Sequence, residues 1–181
     1  MLSVTETILP GVLLVTPAVF GDSRGHFKET FRANTYADAG IDAPFVQDNF
    51  SRSSGGVLRG LHFQVSQPQG KLVSCLRGRV FDVAVDIDPE SPTFQRWVGF
   101  ELSDQNHRQL YIPAGYAHGF CVLSESADFF YKCTDYYNPA DEAGIRWDDP
   151  GIGIDWPLSE PTLSDKDANL PSLADYLDNL T

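Results

Sequence analysis

The feature of this chain that most restricts its fold is a series of short apolar segments separated by turn residues. The segment Val80–Ile87 alternates its side chains, with Val80 and Asp82 on one face and Phe81 and Val83 on the other. A period of two is typical of a β-strand that buries one face. We therefore predict a half-buried strand at this position.

Six other segments have strand-like composition. Turn residues such as Asp88-Pro89 and Pro113-Ala114-Gly115 separate them. Many short strands at regular spacing are typical of a sandwich or a barrel. The predicted strands are Val57–Phe63, Leu72–Arg77, Trp97–Leu102, Gln109–Ile112, Gly119–Leu123 and Phe129–Thr134.

Two short helices are predicted beside these strands. Arg32–Ala39 ends before Gly40, a favourable residue after a helix, and Ser172–Leu180 begins with a serine N-cap. The proline-rich stretch 149–161 is predicted to be an extended arm over the barrel. The length of 181 residues and the lack of a linker predict a single domain, residues 1–181.

The formal net charge of −12 disfavours nucleic acid and anionic membranes as partners. The N-terminus lacks a basic region before an apolar run, and no stretch reaches the roughly 18 apolar residues of a membrane helix. Cys75, Cys121 and Cys133 each lie in a strand-like run. We predict buried, non-catalytic thiols and a cytoplasmic location.

The segment Pro113–His118, followed by an apolar strand, resembles the second half of the cupin signature. A metal-binding cupin also supplies two histidines one residue apart and a nearby glutamate. Here Gln64 takes the place of the second histidine after His62, and the next acid is Asp82. Two imidazoles are too few for a catalytic metal. We therefore predict a barrel without a metal, in which His62 is available for proton chemistry.

A histidine has an unperturbed pKa near ~6.5 and can accept or donate a proton near neutral pH. The alternative for His62 is a core histidine that is satisfied by a backbone hydrogen bond. Arg59 lies three residues earlier, so strand alternation would place the two side chains on opposite faces. A bulge at Gly60 would bring them to the same face.

Seven ordered motifs between about Thr7 and Asp167 resemble the dTDP-4-dehydrorhamnose 3,5-epimerase family. The resemblance implies a mainly β, cupin-type jelly-roll β-barrel with short flanking helices. It also implies a homodimer with strand exchange near the N-terminus, a dTDP-sugar substrate and no cofactor. The motifs are Ser23–Glu29, Gln47–Ser51, Leu58–Gln64, Gly70-Lys71, Ile112–Phe120, Tyr131–Pro139 and Leu163–Asp167.

The implied reaction is epimerisation of dTDP-4-dehydro-6-deoxy-D-glucose at C3 and C5, which gives dTDP-4-dehydro-L-rhamnose. By resemblance, His62 is the base, Tyr131 is the acid on the opposite ring face, and Asp167 orients His62. Lys71 corresponds to the cation that stabilises the enolate oxygen.

The resemblance also implies a substrate-binding set. Arg24 and Arg59 correspond to diphosphate ligands, a role that suits the fixed donors of a guanidinium. Tyr137 corresponds to the residue that stacks on thymine. Such a set would gather basic residues locally in an acidic protein. The remaining positions are Phe27, Glu29, Gln47, Asp48, Asn49, Lys71, His118, Glu142 and Lys166.

Taken without the resemblance, these residues have other interpretations. Tyr131 could be a structural tyrosine, Lys71 a solvated turn residue and Asp167 a helix N-terminal charge. The two arginines could form surface ion pairs. Three other functions also remain open: an epimerase that acts at one carbon, a metal-dependent cupin enzyme and a non-catalytic sugar-nucleotide-binding module.

Overall fold

The structure is a computed structural model that describes residues 2–179. The predicted strands are present with small changes at their ends, and other strands occur before and after them. The strands are β1 (Ser3–Glu6), β2 (Leu13–Thr16), β3 (Val19–Asp22), β4 (Gly25–Lys28), β5 (Gln47–Ser54), β6 (Leu58–Gln64), β7 (Lys71–Arg77), β8 (Arg79–Asp86), β9 (Trp97–Ser103), β10 (Gln109–Ile112), β11 (Tyr116–Val122), β12 (Ser126–Cys133) and β13 (Glu142–Gly144).

Within residues 2–179, the larger sheet has six strands in the order β1-β2-β10-β7-β12-β5. The smaller sheet has five, in the order β13-β6-β11-β8-β9, and β3 and β4 form a separate hairpin. Neighbouring strands are antiparallel. The mainly β prediction is confirmed, and the arrangement is consistent with a jelly roll whose two sheets do not close over the described residues.

The main core lies between the two sheets. Val73 and Phe129 of the larger sheet pack in one buried cluster with Val80, Leu102 and Phe120 of the smaller sheet. Burial of each such side chain contributes about 1.5–3 kcal/mol to folding. This core fixes the separation of the sheets, and therefore the width of the cavity between them.

A second cluster covers the outer face of the smaller sheet. There Val83 and Val85 of β8 pack with Ile152, Trp156 and Leu173. The alternation predicted for β8 is present, but the expectation of a half-buried strand is wrong. The proline-rich arm and the C-terminal segment cover the second face of β8. Because these segments are distant from β8 in the sequence, its local pattern does not reveal them.

The predicted helices are present but shorter. They span Ala33–Ala37 (α1) and Leu173–Asp178 (α3), and Leu180 of the predicted C-terminal helix lies outside the described residues. A further helix, α2 (Asp165–Ala168), was not one of the two predicted helices, although the alternative interpretation of Asp167 placed that residue near a helix N-terminus. No helix within residues 2–179 is long and apolar enough to span a membrane.

Candidate active site

A bulge in β6 brings Arg59 and His62 to one cavity. In the β6–β11 pairing, three steps along β6 oppose two along β11, and Gly60 has a φ of 123°. A Cβ on Gly60 would lie 2.6 Å from the Cα of Gly119, so the close approach of the strands also requires glycine. The bulge that the sequence suggested at Gly60 is therefore present, and both side chains line the cavity.

The cavity has a volume of about 330 Å³ and lies between the sheets. Strand β5 contributes alternate residues to it, because side chains along a strand point to opposite faces. The sequence-predicted site residues that line the cavity are Gln47, Asn49, Arg59, His62, Lys71, His118, Tyr131, Tyr137 and Glu142.

His62 forms a close pair with Asp167, which lies 105 residues further along the chain. The distance from His62 Nε2 to Asp167 Oδ1 is 2.6 Å. An ionised carboxylate can only accept hydrogen bonds, so Nε2 carries the proton and donates it to Oδ1. The lone pair of Nδ1 is then free to accept a proton.

Helix α2 holds the carboxylate of Asp167 in place. Ser164 caps the helix, and its Oγ accepts a hydrogen bond from the Asp167 backbone N–H at 3.1 Å. Burial alone would raise the pKa of Asp167. Hydrogen bonds from His62 and Ser164, together with the positive charge of Lys166, lower this pKa overall. The carboxylate therefore stays ionised beside the imidazole at neutral pH.

Lys71 lies on the floor of the cavity rather than in a solvated turn. Lys71 is the first residue of β7, and its side chain is buried. Burial lowers the pKa of Lys71, whereas the negative charges of Asp82 and Glu142 raise it. A buried ammonium needs nearby negative charge. Lys71 therefore provides a cation that can face a developing negative charge in the cavity.

His118 belongs to a second histidine–carboxylate pair. Its Nε2 lies 2.9 Å from Oδ2 of Asp82, which is fully buried in β8. Burial lowers the pKa of His118, so its imidazole is held neutral. Oδ1 of Asp82 has no hydrogen-bond partner among residues 2–179, and the charge of Lys71 partly compensates this carboxylate.

Tyr131 reaches the cavity from the larger sheet, whereas His62 belongs to the smaller one. Burial raises the pKa of Tyr131, with further increases from the adjacent Cys133 and Glu142. Its phenol therefore keeps its proton at neutral pH. The cavity thus has a possible proton acceptor on one wall and a possible donor on the other.

The rim of the cavity contains a chain of polar contacts. The hydroxyl of Tyr137 donates a hydrogen bond to Glu142 at 2.7 Å, and Lys166 Nζ lies 2.7 Å from the same carboxylate. Gln47 Oε1 accepts a hydrogen bond from the backbone N–H of Tyr137 at 2.9 Å. Tyr137 is 49% exposed, so its ring is available to a ligand.

Five predicted substrate-binding side chains do not line the cavity of this chain, and one of them, Lys166, reaches its rim through the contact with Glu142. Asp48 lies on the outer face of β5 and its carboxylate pairs with Lys132 at 2.7 Å, so its role in substrate binding stays a prediction. Arg24 and Phe27 belong to the exposed β3–β4 hairpin, and Glu29 pairs with Arg32 at 2.8 Å.

Other cavity residues were not predicted as site residues. Phe120 and Phe129 stack with ring centroids 4.1 Å apart and form an apolar wall. Gln64 is buried and hydrogen-bonds Gln67 O at 2.7 Å, so it organises a loop of the rim. Its position two residues after His62, within the motif Leu58–Gln64, was the available signal for this role. The others are Ser51, Phe63 and Gln69.

Among residues 2–179, no group of three or more His, Cys, Asp and Glu side chains is arranged to hold a metal ion. His62 and His118 are cross-strand partners in the smaller sheet. Each Nε2 instead faces its own carboxylate.

Comparison with known proteins identifies this architecture. The family model of dTDP-4-dehydrorhamnose 3,5-epimerase matches residues 6–175. The enzyme of that name from Shigella flexneri is 54% identical over 170 residues, which cover 93% of this chain and 94% of the relative.

Solved structures give the same result. The dTDP-6-deoxy-D-glucose-3,5-epimerase of Legionella pneumophila, in complex with dTDP-4-keto-L-rhamnose, has a TM-score of 0.94 and 54% identity, and the match covers 96% of this chain and 94% of that one. ChmJ from Streptomyces bikiniensis, a 3'-monoepimerase in complex with dTDP-quinovose, has a TM-score of 0.89 and 36% identity, with coverage of 95% and 89%.

The two facing sheets with a polar cavity between them are those of a cupin-like enzyme, here an isomerase. The chain belongs to the dTDP-4-dehydrorhamnose 3,5-epimerase family.

Proposed function

We infer that this chain converts dTDP-4-dehydro-6-deoxy-D-glucose to dTDP-4-dehydro-L-rhamnose by epimerisation at C3 and C5. The observation that supports this function best is the pairing of His62 with Asp167 at 2.6 Å, with Tyr131 on the opposite sheet of the same cavity. Epimerisation removes a proton from one face of a carbon and returns one to the other. Groups on opposing walls suit that requirement.

The proposed mechanism uses three groups. Nδ1 of His62 takes the proton from the carbon beside the ketone, and the electron pair of the broken C–H bond forms an enolate. Lys71 stabilises the enolate oxygen electrostatically. The phenol of Tyr131 then protonates the carbon from the opposite face as the enolate returns to the ketone. The phenolate recovers its proton from solvent, and His62 releases one.

Turnover in heavy water tests this proposal. We expect deuterium at both C3 and C5 of the product, because each carbon loses its proton and gains one that derives from solvent. Mass spectrometry and proton NMR of the product give the number and the positions of the labels.

Label at one carbon would instead indicate a single-carbon epimerase, the activity named for ChmJ. Substrate recovered without label above the enzyme-free background would indicate a binding module.

The exposed hairpin supports a further proposal, that the working form is a homodimer. Phe20 and Phe27 pair across β3 and β4, yet they are 64% and 69% exposed. Exposed apolar surface of this kind marks an interaction site. The side chain of Arg24 at the hairpin turn is 87% exposed. We propose that the hairpin enters the cavity of a second copy, where Arg24 of the partner subunit binds the diphosphate.

Mixing two variants tests whether Arg24 acts across the dimer. Arg24→Ala should weaken dTDP binding about 10-fold, the cost of a charge-assisted hydrogen bond. A heterodimer of Arg24→Ala with His62→Ala has one intact cavity if the arginine comes from the partner. Co-expressed, separately tagged chains should then recover roughly a quarter of wild-type activity at low substrate concentration.

The two variants prepared separately and mixed only in the assay provide the control. If the co-expressed pair is no more active than that mixture, Arg24 does not act across a dimer.

The cysteines support the proposal of a cytoplasmic location. Cys75, Cys121 and Cys133 are buried and free. Burial raises the pKa of Cys75 and Cys121 to about 12, so both thiols are protonated and unreactive. Such thiols are typical of a reducing compartment.

A further inference from the structure

The segment that carries Asp167 is attached to the smaller sheet at both of its ends. We call residues 162–173 the strap. At its first end, Thr162 forms a parallel bridge with Val57, and the backbone N–H of Leu58 donates to Thr162 O at 3.0 Å. At its last end, the backbone N–H of Arg146 donates to Pro171 O at 2.8 Å.

The middle of the strap rests on the strand next to His62. Gly144 of β13 lies opposite His62 of β6 in the sheet register. A Cβ on Gly144 would lie 2.8 Å from Leu170 Cδ1, so the leucine side chain occupies the space above this glycine. The position of the strap relative to the sheet therefore sets the position of Asp167 relative to His62.

Asp149 adds a buried attachment at the last end of the strap. Asp149 is 4% exposed. Its Oδ2 accepts a hydrogen bond from the backbone N–H of Leu173 at 2.7 Å. Oδ1 accepts the backbone N–H groups of Gly151 at 2.7 Å and Ile152 at 3.2 Å. One carboxylate thus joins the turn 149–152 to the end of the strap.

This attachment is anchored in the second apolar cluster. Ile152 and Leu173, whose backbone groups bind the carboxylate, are buried there against Val83 and Val85 of β8. The arm 149–161 therefore does more than cover the sheet. It provides a fixed point against which the strap is held.

We propose that Asp149 is a positioning residue, which keeps Asp167 in hydrogen-bond contact with His62 by fixing the last end of the strap. This inference rests on the proposed function, because it acts through the His62–Asp167 pair. Asp149 itself does not line the cavity. Displacement of a catalytic group by about 1 Å can lower a rate about 10²-fold.

Asp149→Asn is the variant that tests the inference. The amide keeps one accepting oxygen for Gly151, but its NH2 group then faces the N–H of Leu173, so the two donors repel each other. We expect kcat to fall about 10- to 100-fold, while the Kd for dTDP changes by less than about 3-fold, because the proposed nucleotide contacts Arg59 and Tyr137 lie outside the strap. Asp155→Asn is the matched control, since Asp155 is exposed on the same arm.

A double-mutant cycle separates positioning from a general loss of stability. If Asp149 acts through Asp167, adding Asp149→Asn to Asp167→Asn should lower kcat no further. A variant that merely loosens the fold would lower kcat by the same factor in both backgrounds. Solvent deuterium exchange, followed for hours, measures the slow rates.

If the proposed function is wrong, the wild-type protein shows no epimerisation. The two results that would contradict the role of Asp149 both require an active wild-type protein. If wild type is active and Asp149→Asn behaves like Asp155→Asn, or if its effect adds fully to that of Asp167→Asn, the positioning role is overturned. Should Asp149→Asn not fold, Leu170→Ala removes the contact above Gly144 and enters the same cycle, with the same two criteria.

Discussion

Replacement of His62 by glutamine is expected to lower kcat about 10⁴-fold, the upper end of the usual contribution of a general acid–base group. Glutamine can still hydrogen-bond to Asp167, but it has no basic nitrogen to take the place of Nδ1. Both proton removal at C3 and proton removal at C5 should fail, because the proposed mechanism uses Nδ1 of His62 for both carbons. Burial lowers the pKa of the other cavity imidazole, His118, which makes it a weaker base. Solvent deuterium incorporation into substrate and product measures the loss.

Two further measurements make this result specific to proton transfer. The variant should bind dTDP with wild-type affinity, since the proposed nucleotide contacts are other residues, and its Tm should be close to that of wild type. Deuterium incorporation within 10-fold of the wild-type rate would show that another group is the base.

The parts of the fold that the sequence predicted are those encoded in local patterns. Strand β8 was recognisable from its alternation, and β10 was predicted with its observed ends. Strand β5 was missed, because its sequence QDNFSRSS is polar and resembles a loop. It becomes a strand because it pairs along its length with β12, nearly 80 residues later. Cross-strand pairing of this kind is invisible to a local pattern.

The site shows the same division. The absence of a second metal-ligating histidine near His62 was readable from the residues at once. The bulge at Gly60 was also a local prediction, and it is present. The pairing of Asp82 with His118 was missed, although a carboxylate on the inward face of an apolar strand was a signal for it. The roles of Tyr131 and Asp167 came from family resemblance, and those roles remain predictions.

Asp167→Asn is the other variant with a large expected effect, a fall in kcat of about 10³-fold. The change keeps the shape of the side chain but removes the charge that holds the Nε2–H of His62. If the amide of the Asp167→Asn variant presents its NH2 group instead of its oxygen, the imidazole of His62 must adopt the tautomer with the proton on Nδ1. That proton prevents Nδ1 from acting as the base. The same change to the orienting carboxylate of a catalytic triad lowers kcat by about 10⁴-fold, which is an upper guide to the loss expected here. Steady-state kinetics and deuterium exchange both measure it.

Asp165→Asn is the control, because Asp165 lies on the same helix but is exposed. It should retain wild-type kcat, and an equal loss in the two variants would show that damage to α2, rather than loss of the His62–Asp167 pair, lowers the rate.

The pH dependence of stability gives an independent check. The pKa of Asp167 is lowered in the folded protein, so its contribution to stability is present above the unfolded value of about 3.9 and is lost as the pH falls through the folded value. The Tm difference between wild type and Asp167→Asn should therefore be largest near neutral pH and disappear in acid. A difference independent of pH would mean that the carboxylate is not held by His62.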